Sequence, residues 1–232
     1  MLAEAVILAG GKAERLGDAA GGRPKSLVEV AGKPLAGYQV SRLARAGVER
    51  VIVSCAAGTA PLFEEALAGF GAEIAAVEEP ERLGRGGGIK FAARARTSDG
   101  DIFAMNGDEL VAVDFAALLE RHRAAGGLAT ITVAQPKSQF GLVDVDAADV
   151  VRGFQEAGRV PYWVNCGNYV LSAEAIARFP DVGDHESTTF PELAAEGALH
   201  AHRHEGLWLT VNTPKELRVA AEHVEAHPEW LT

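Results

Sequence analysis

Apolar residues in this chain come in short runs separated by segments of helical period. Residues 5–9 (Ala-Val-Ile-Leu-Ala) are too few for a helix and end in paired glycines, so they read as a buried strand. From Lys33 the chain turns helical. Pro34 suits a helix start, Leu35, Val40, Leu43 and Ala44 share one side, and Gly47 ends the segment. The alternation continues with strands at 49–55, 72–77 and 101–105 and helices at 60–69, 88–96 and 115–123. Strands separated by helices of this size predict an α/β fold, its parallel sheet covered on both faces. Ligands of such sheets bind at the carboxyl ends of the strands.

Near residue 135 the pattern changes. A strand at 128–134 is followed by two shorter ones, 141–146 and 150–155, around an Asp-rich turn with no helix between them. This predicts an antiparallel or mixed lid attached to the parallel sheet. A strand at 164–171 and helices at 172–178 and 190–196 come next. His200, His202 and His204 alternate along a further strand; three such histidines can hold zinc, although an exposed strand more often leaves them solvated. Thr213, Pro214 and Glu216 make a capping box for a last helix.

Composition narrows the classes. With 232 residues, 48% of them hydrophobic and 23% charged, the chain can bury one well-covered core. No apolar run approaches the roughly 20 residues of a membrane span, and Met1-Leu2-Ala3-Glu4 lacks the basic segment of a signal peptide. Cys55 and Cys166 show neither metal-ligand spacing nor a secreted disulfide pattern. A cytoplasmic protein without membrane partners is the expectation. A formal charge of −10 argues against general nucleic-acid binding, which needs a basic surface.

Against that acidic background, one positive cluster stands out at the end of the first strand. Gly10 and Gly11 let the backbone turn and leave N–H groups bare, and Lys12, Arg15, Arg23 and Lys25 follow. The combination suits a triphosphate, yet it is neither common phosphate loop. Counting from Gly10, Lys12 and Arg15 occupy places the dinucleotide fingerprint reserves for glycine. After Gly17 and Gly22, Arg23-Pro24 stands where a Walker loop needs Lys-Ser/Thr. Two other strand ends are polar. Glu79 precedes Gly84, Gly86, Gly87 and Gly88, glycines that open a helix and allow close approach of a flat or anionic ligand. Asn106-Gly107-Asp108-Glu109 places a carboxylate at a buried strand tip, where it suits a hard cation such as Mg²⁺. Asp114 reads as a helix cap.

Leu8-Ala9-Gly10-Gly11-Lys12-Ala13-Glu14-Arg15-Leu16, then Pro24-Lys25-Ser26-Leu27, then Gly32-Lys33-Pro34-Leu35 resemble the opening of the sugar-1-phosphate nucleotidyltransferases. The resemblance implies a Rossmann-like (GT-A-like) three-layer α/β/α sandwich with a mixed, mainly parallel sheet and a small antiparallel lid. It implies that Leu8, Ala9, Gly10, Gly11 and Lys12 wrap the nucleotide, together with Glu79, Gly84, Gly86, Gly87 and Asn106. Arg15 would hold phosphates, Lys25 would neutralise transition-state charge, and Asp108 would be the principal Mg²⁺ ligand. In the lid, Phe140-Gly141, Phe154-Gln155-Glu156 and Asn165-Cys166-Gly167-Asn168-Tyr169 are similar to segments that meet the sugar phosphate, which implies roles there for Gly141, Glu156, Asn165 and Gly167.

Three departures from the family pattern matter. Arg85 replaces a usual Thr. Ala157 stands where a lysine holds the sugar phosphate, leaving Arg159 as a substitute. Thr210 stands where a second metal-binding Asp is common, while relatives with Val-Asn before the last helix point to Asn212 instead. The whole reads as one domain, with a nucleotide-binding half (1–135), a sugar-phosphate lid (136–206) and a closing segment (207–232).

The implied reaction is in-line attack of a sugar-1-phosphate on the α-phosphorus of a nucleoside triphosphate, releasing pyrophosphate. It needs no general base, because the attacking phosphate is already ionised. The Leu-Gly-x-Gly-Gly segment favours the branch resembling mannose- or heptose-1-phosphate guanylyltransferases; thymidylyl, uridylyl and cytidylyl transfer stay open. Alternatives are a guanylyl- or cytidylyltransferase acting on a non-sugar phosphate, and a catalytically weak homologue that only binds nucleotide sugar. Trp163 and Trp208 suit a homodimer interface or the core equally.

Overall fold

The computed structural model describes residues 2–138 and 140–230. In chain order the strands are β1 (Glu4–Leu8), β2 (Glu29–Val30), β3 (Lys33–Pro34), β4 (Arg50–Ala56), β5 (Glu73–Glu79), β6 (Ile102–Asn106), β7 (Glu109–Val111), β8 (Ala129–Ala134), β9 (Leu142–Val145), β10 (Val151–Gln155), β11 (Val164–Leu171), β12 (Leu199–Arg203) and β13 (Trp208–Thr210). The helices are α1 (Leu35–Arg45), α2 (Ala60–Leu67), α3 (Gly84–Ala92), α4 (Phe115–Ala125), α5 (Ala173–Arg178), α6 (Thr189–Ala195) and α7 (Pro214–Ala226). A seven-stranded central sheet runs β12-β8-β11-β6-β1-β4-β5. Only β11 opposes its neighbours in this sheet; the other adjacent pairs are parallel. The mixed, mainly parallel sandwich implied by the family resemblance is what forms, and the alternation alone missed the antiparallel β11.

The pleat explains the layers. Successive strand residues face opposite ways, so Ala5, Ile7, Phe103 and Met105 pack against Val40, Leu43, Phe63, Leu67, Phe115 and Leu118 of α1, α2 and α4. Val6, Ile102, Ala104 and Tyr169 face Ile89, Ile176, Phe190 and Leu193 of α3, α5 and α6. Each fully buried aliphatic or phenyl side chain contributes about 1.5–3 kcal/mol. A third cluster, including Leu16, Val30, Tyr38, Leu110, Val211 and Val224, seats α7 against the N-terminal loop. Asp114 caps α4 by accepting from the N–H groups of Ala116 and Ala117. Thr213 and Glu216 form the anticipated capping box of α7.

Three features depart from the sequence reading. First, α3 begins at Gly84 rather than at residue 88, because the N–H groups of Gly86 and Gly87 donate to the Gly183 carbonyl at 3.0 and 3.3 Å. Second, the lid is smaller than residues 136–206. Only the β9–β10 hairpin and its flanks stand apart, since β11 and β12 are strands of the central sheet. The buried run of β11 had to find a sheet on both sides; the half-polar hairpin did not. Third, β7 is an unanticipated strand. Its antiparallel pairing with β13 brings the chain after Asp108 beside the chain before Asn212.

Candidate active site

A cleft of about 300 Å³ opens at the carboxyl ends of β1, β5 and β6, the place the sheet topology predicts. Leu8, Gly10, Gly11, Lys25, Glu79, Gly84, Arg85, Asn106, Asp108 and Glu109 line it, with Ser26 and Arg82. Gly10 and Gly11 make their turn without entering the left-handed region. A Cβ on Gly11 would meet open space, so its bareness serves the cleft rather than the turn. Gly107 is different. Its N–H donates to the Leu8 carbonyl at 2.8 Å, and a Cβ there would lie 2.5 Å from that oxygen and 2.6 Å from Ser26 Oγ. Only glycine lets the ends of β1 and β6 close on the turn that carries Lys25.

Four side chains from distant parts of the chain converge at one edge. Lys25 Nζ, almost fully buried, donates to Asp108 Oδ2 at 2.5 Å and to Asn212 Oδ1 at 2.7 Å. Arg15 donates to the same Asn212 oxygen at 2.8 Å. The local fold enforces this meeting. Val211 N–H donates to the Asp108 carbonyl at 3.2 Å, and the capping carboxylate of Glu216 accepts from Asn212 N–H at 2.7 Å. Thr210, the other candidate, gives its hydroxyl to Glu216 instead. Gln39, on an otherwise apolar face of α1, donates from Nε2 to the carbonyls of Asn106 and Glu109, each at 2.7 Å. A glutamine on the buried face of an amphipathic helix was the one sequence signal for that role, and the sequence reading passed over it.

Burial, and then the neighbouring Asp108 charge, push the Glu109 carboxyl up to about 7, against the opposing pull of its hydrogen bonds from Trp208 Nε1 and Asn106. Glu79 sits at the end of β5, where Oε1 accepts from Ser54 Oγ at 2.8 Å and Oε2 from Leu83 N–H at 3.0 Å. Its rotamer is therefore fixed before any ligand arrives.

The Arg85 side of the cleft is assembled by the segment after α5. Arg85 donates from Nε and a terminal nitrogen to Asp184 Oδ2, and its other terminal nitrogen meets Glu186 Oε2 at 2.8 Å. Asn165 Nδ2 donates to Tyr169 Oη at 2.9 Å and to Glu186 Oε1 at 2.8 Å, while Asn165 Oδ1 accepts from Gly167 N–H at 2.9 Å. Gly167 lies at the β11 bulge, against Asn106. Asp184 and Glu186 carried no sequence signal, because nothing in spacing links them to Arg85.

Some expected site residues lie elsewhere. Gly86 and Gly87 are buried against residues 181–185: a Cβ on Gly87 would lie 2.4 Å from the Asp181 carbonyl oxygen, and one on Gly86 2.8 Å from His185 N. Their smallness admits the protein's own loop, not a ligand. Ala9 is buried in the core, and Lys12 points to solvent beside Glu14. Gly141, packed under the Phe154 ring, and Glu156 and Arg159 belong to the lid and do not line the cleft. Arg159 donates to the Gln135 carbonyl at 3.0 Å. Among the described residues, no group of three or more His, Cys, Asp or Glu side chains is placed to hold a metal. His204 pairs with the Leu207 carbonyl instead. No helix among them is long and apolar enough to cross a membrane.

Comparison with known proteins gives the family and the fold. The chain is 33% identical over 226 residues to the mannose-1-phosphate guanylyltransferase of Mycobacterium tuberculosis, covering 92% of this chain and 62% of that one. It is 29% identical to the mannose-1-phosphate guanylyltransferase catalytic subunit beta of Xenopus tropicalis, covering 98% of this chain and 68% of that one. The chain thus spans 62% and 68% of the length of these two relatives. Among solved structures, HddC from Yersinia pseudotuberculosis superposes with a TM-score of 0.75 at 25% identity, over 96% of this chain and 99% of that one. The same protein complexed with GMP-PN superposes with a TM-score of 0.74. The family model described as nucleotidyl transferase matches residues 4–227, nearly the whole chain, and the chain belongs to that family.

Proposed function

We propose that this chain transfers a guanylyl group from GTP to a sugar-1-phosphate, releasing pyrophosphate and forming a GDP-sugar. The observation that carries the reading is the convergence of Arg15, Lys25, Asp108 and Asn212 at one edge of the strand-end cleft. Lys25 and Arg15 supply positive charge for a triphosphate. Lys25 Nζ lies within hydrogen-bond reach of both Asp108 Oδ2 and Asn212 Oδ1, so two hard oxygens already share one cation. That donor set fits Mg²⁺, which takes one or two protein oxygens and completes its shell with phosphates and water. Asp108 and Asn212 would hold the ion, which would neutralise charge building on the α-phosphate.

Chemistry then rests on positioning. The cleft aligns two anions that repel in water, and the basic side chains and loop N–H groups stabilise the added negative charge of the transition state. Guanine is favoured by Glu79. A fixed carboxylate offers only acceptors, and guanine alone among the common bases presents two adjacent donors, N1–H and N2–H₂, on its Watson–Crick edge. The guanylyltransferase relatives point the same way.

The test is pyrophosphate release with Mg²⁺, each of the four ribonucleoside triphosphates or dTTP, and a panel of sugar-1-phosphates. Release that needs GTP and a sugar-1-phosphate together, and that Asp108→Ala abolishes, is the expected result. Silence with every pair, while GDP-sugars still raise Tm, would replace the reading with a binding protein that does not turn over.

A further inference from the structure

We infer that Arg85, clamped by Asp184 and Glu186, selects the acceptor by hydrogen-bonding the hydroxyl groups of its sugar ring. The inference rests on the proposed nucleotidyl transfer and adds to it a residue that recognises a hydroxyl-bearing ring rather than a bare phosphate.

Position comes first. Arg85 lines the same cleft as Asn106 and Asp108. Capacity comes second. A guanidinium carries five N–H bonds in a rigid fork. Contacts to Asp184 and Glu186 engage three of them, and the side chain is still 46% exposed. Two N–H bonds are left to donate, from a group that its carboxylates hold in place. The clamp is itself rigid, because Asp184 accepts from Glu186 N–H at 3.0 Å and its carbonyl accepts from the hydroxyls of Ser187 and Thr188.

Charge comes third. One guanidinium between two carboxylates offers no net positive charge, so the cluster is poorly suited to hold a phosphate. It suits hydroxyls, which accept from Arg85 and donate to free carboxylate lone pairs. Asn165 then takes a different part from the one its motif implies. Both its N–H bonds go to Tyr169 and Glu186 and its oxygen accepts from Gly167, so it acts as a positioning residue for Glu186.

Calorimetric titration of GDP, GDP-mannose and GDP-glucose tests this without needing turnover. The wild type is expected to bind at least one GDP-sugar about tenfold or more tightly than GDP, the scale of one or two charge-assisted hydrogen bonds. Arg85→Thr should keep GDP affinity within about twofold and lose that increment; Arg85→Lys should not restore it, lacking the fork. Glu186→Gln, which keeps shape but removes one clamp, should lose part of the increment, and it decides the matter if Arg85→Thr fails to fold. An increment that survives Arg85→Thr, or a variant that loses GDP and GDP-sugar affinity in equal proportion, overturns the inference. So does a wild type that gains nothing from either ring. Pyrophosphate release by the wild type is read separately. Turnover without a ring increment rejects only the role of Arg85, and an increment without turnover rejects only the catalytic reading.

Discussion

The two ends of the cleft are built differently. At the end proposed to take the phosphates, Arg15, Lys25, Asp108 and Asn212 stand beside chain features with strong local signatures: a glycine loop, a proline turn, a strand tip and a helix cap. At the end proposed to take the acceptor, Arg85 is held by Asp184, 99 positions along the chain, on a segment between two short helices. One end is fixed by local structure, the other by a loop docking onto a glycine-rich helix face. Charged groups that sit on local signatures can be placed from sequence; those recruited by packing cannot.

The strongest challenge to the phosphate end is Asp108→Ala. Loss of at least about a thousandfold in kcat/KM for pyrophosphate release is expected, in the range for removing a principal electrostatic group, and EDTA should have the same effect on the wild type until Mg²⁺ is restored. Lys25→Met should follow with a loss of about a hundredfold, chiefly in kcat, since a transition-state charge is removed while the fold keeps its apolar stem. Glu79→Gln sharpens the assignment of the base. Exchanging one acceptor for a donor should raise the KM for GTP by about tenfold with kcat little changed.

Two smaller effects, one beside the cleft and one at the opposite end of β1, test the frame through stability. Glu109, with its carboxyl raised to about 7 in the folded protein against about 4.5 unfolded, binds its proton more tightly when folded. Its contribution is therefore favourable below pH 4.5 relative to higher pH, fades as pH rises from 4.5 to 7, and is absent above that. Glu109→Gln should leave stability at pH 4 unchanged and raise it at pH 8 by about 2–3 kcal/mol in denaturant titrations. Glu4 is the opposite case. Burial works to raise its pKa, but hydrogen bonds from Ser98 and Thr97 overcome that and lower it to about 2. Its stabilisation is present above pH 4.5 and is lost as pH falls toward 2. Glu4→Gln should cost about 2 kcal/mol at pH 7 and nothing at pH 2.

Much of the fold was legible because strand and helix periods were clean. The strands at 5–9 and 101–105 were legible as short apolar runs between turn and helix signals, while their two faces came only with the packing. The β7–β13 ladder was not legible. Three-residue strands carry almost no periodic signal, and this one exists because Asp108 and Asn212 segments meet. The same reason explains the glycines of α3. A run of small residues announces close approach but not by what; here Gly84 and Gly87 meet the carbonyls of Gly183 and Asp181, Gly86 meets His185 N, and Gly88 meets Glu79 and Leu8.

That backbone contact has a further consequence. At Gly87 only a bare Cα separates α3 from the Asp181 carbonyl of the loop that carries Asp184 and Glu186, so at that point the spacing between helix and loop is set by main chain. Side-chain variation elsewhere in the loop would then retune the proposed acceptor preference without moving the scaffold. A single methyl at Gly87, by contrast, would wedge the two apart and scatter the acceptor end while the phosphate end stayed assembled.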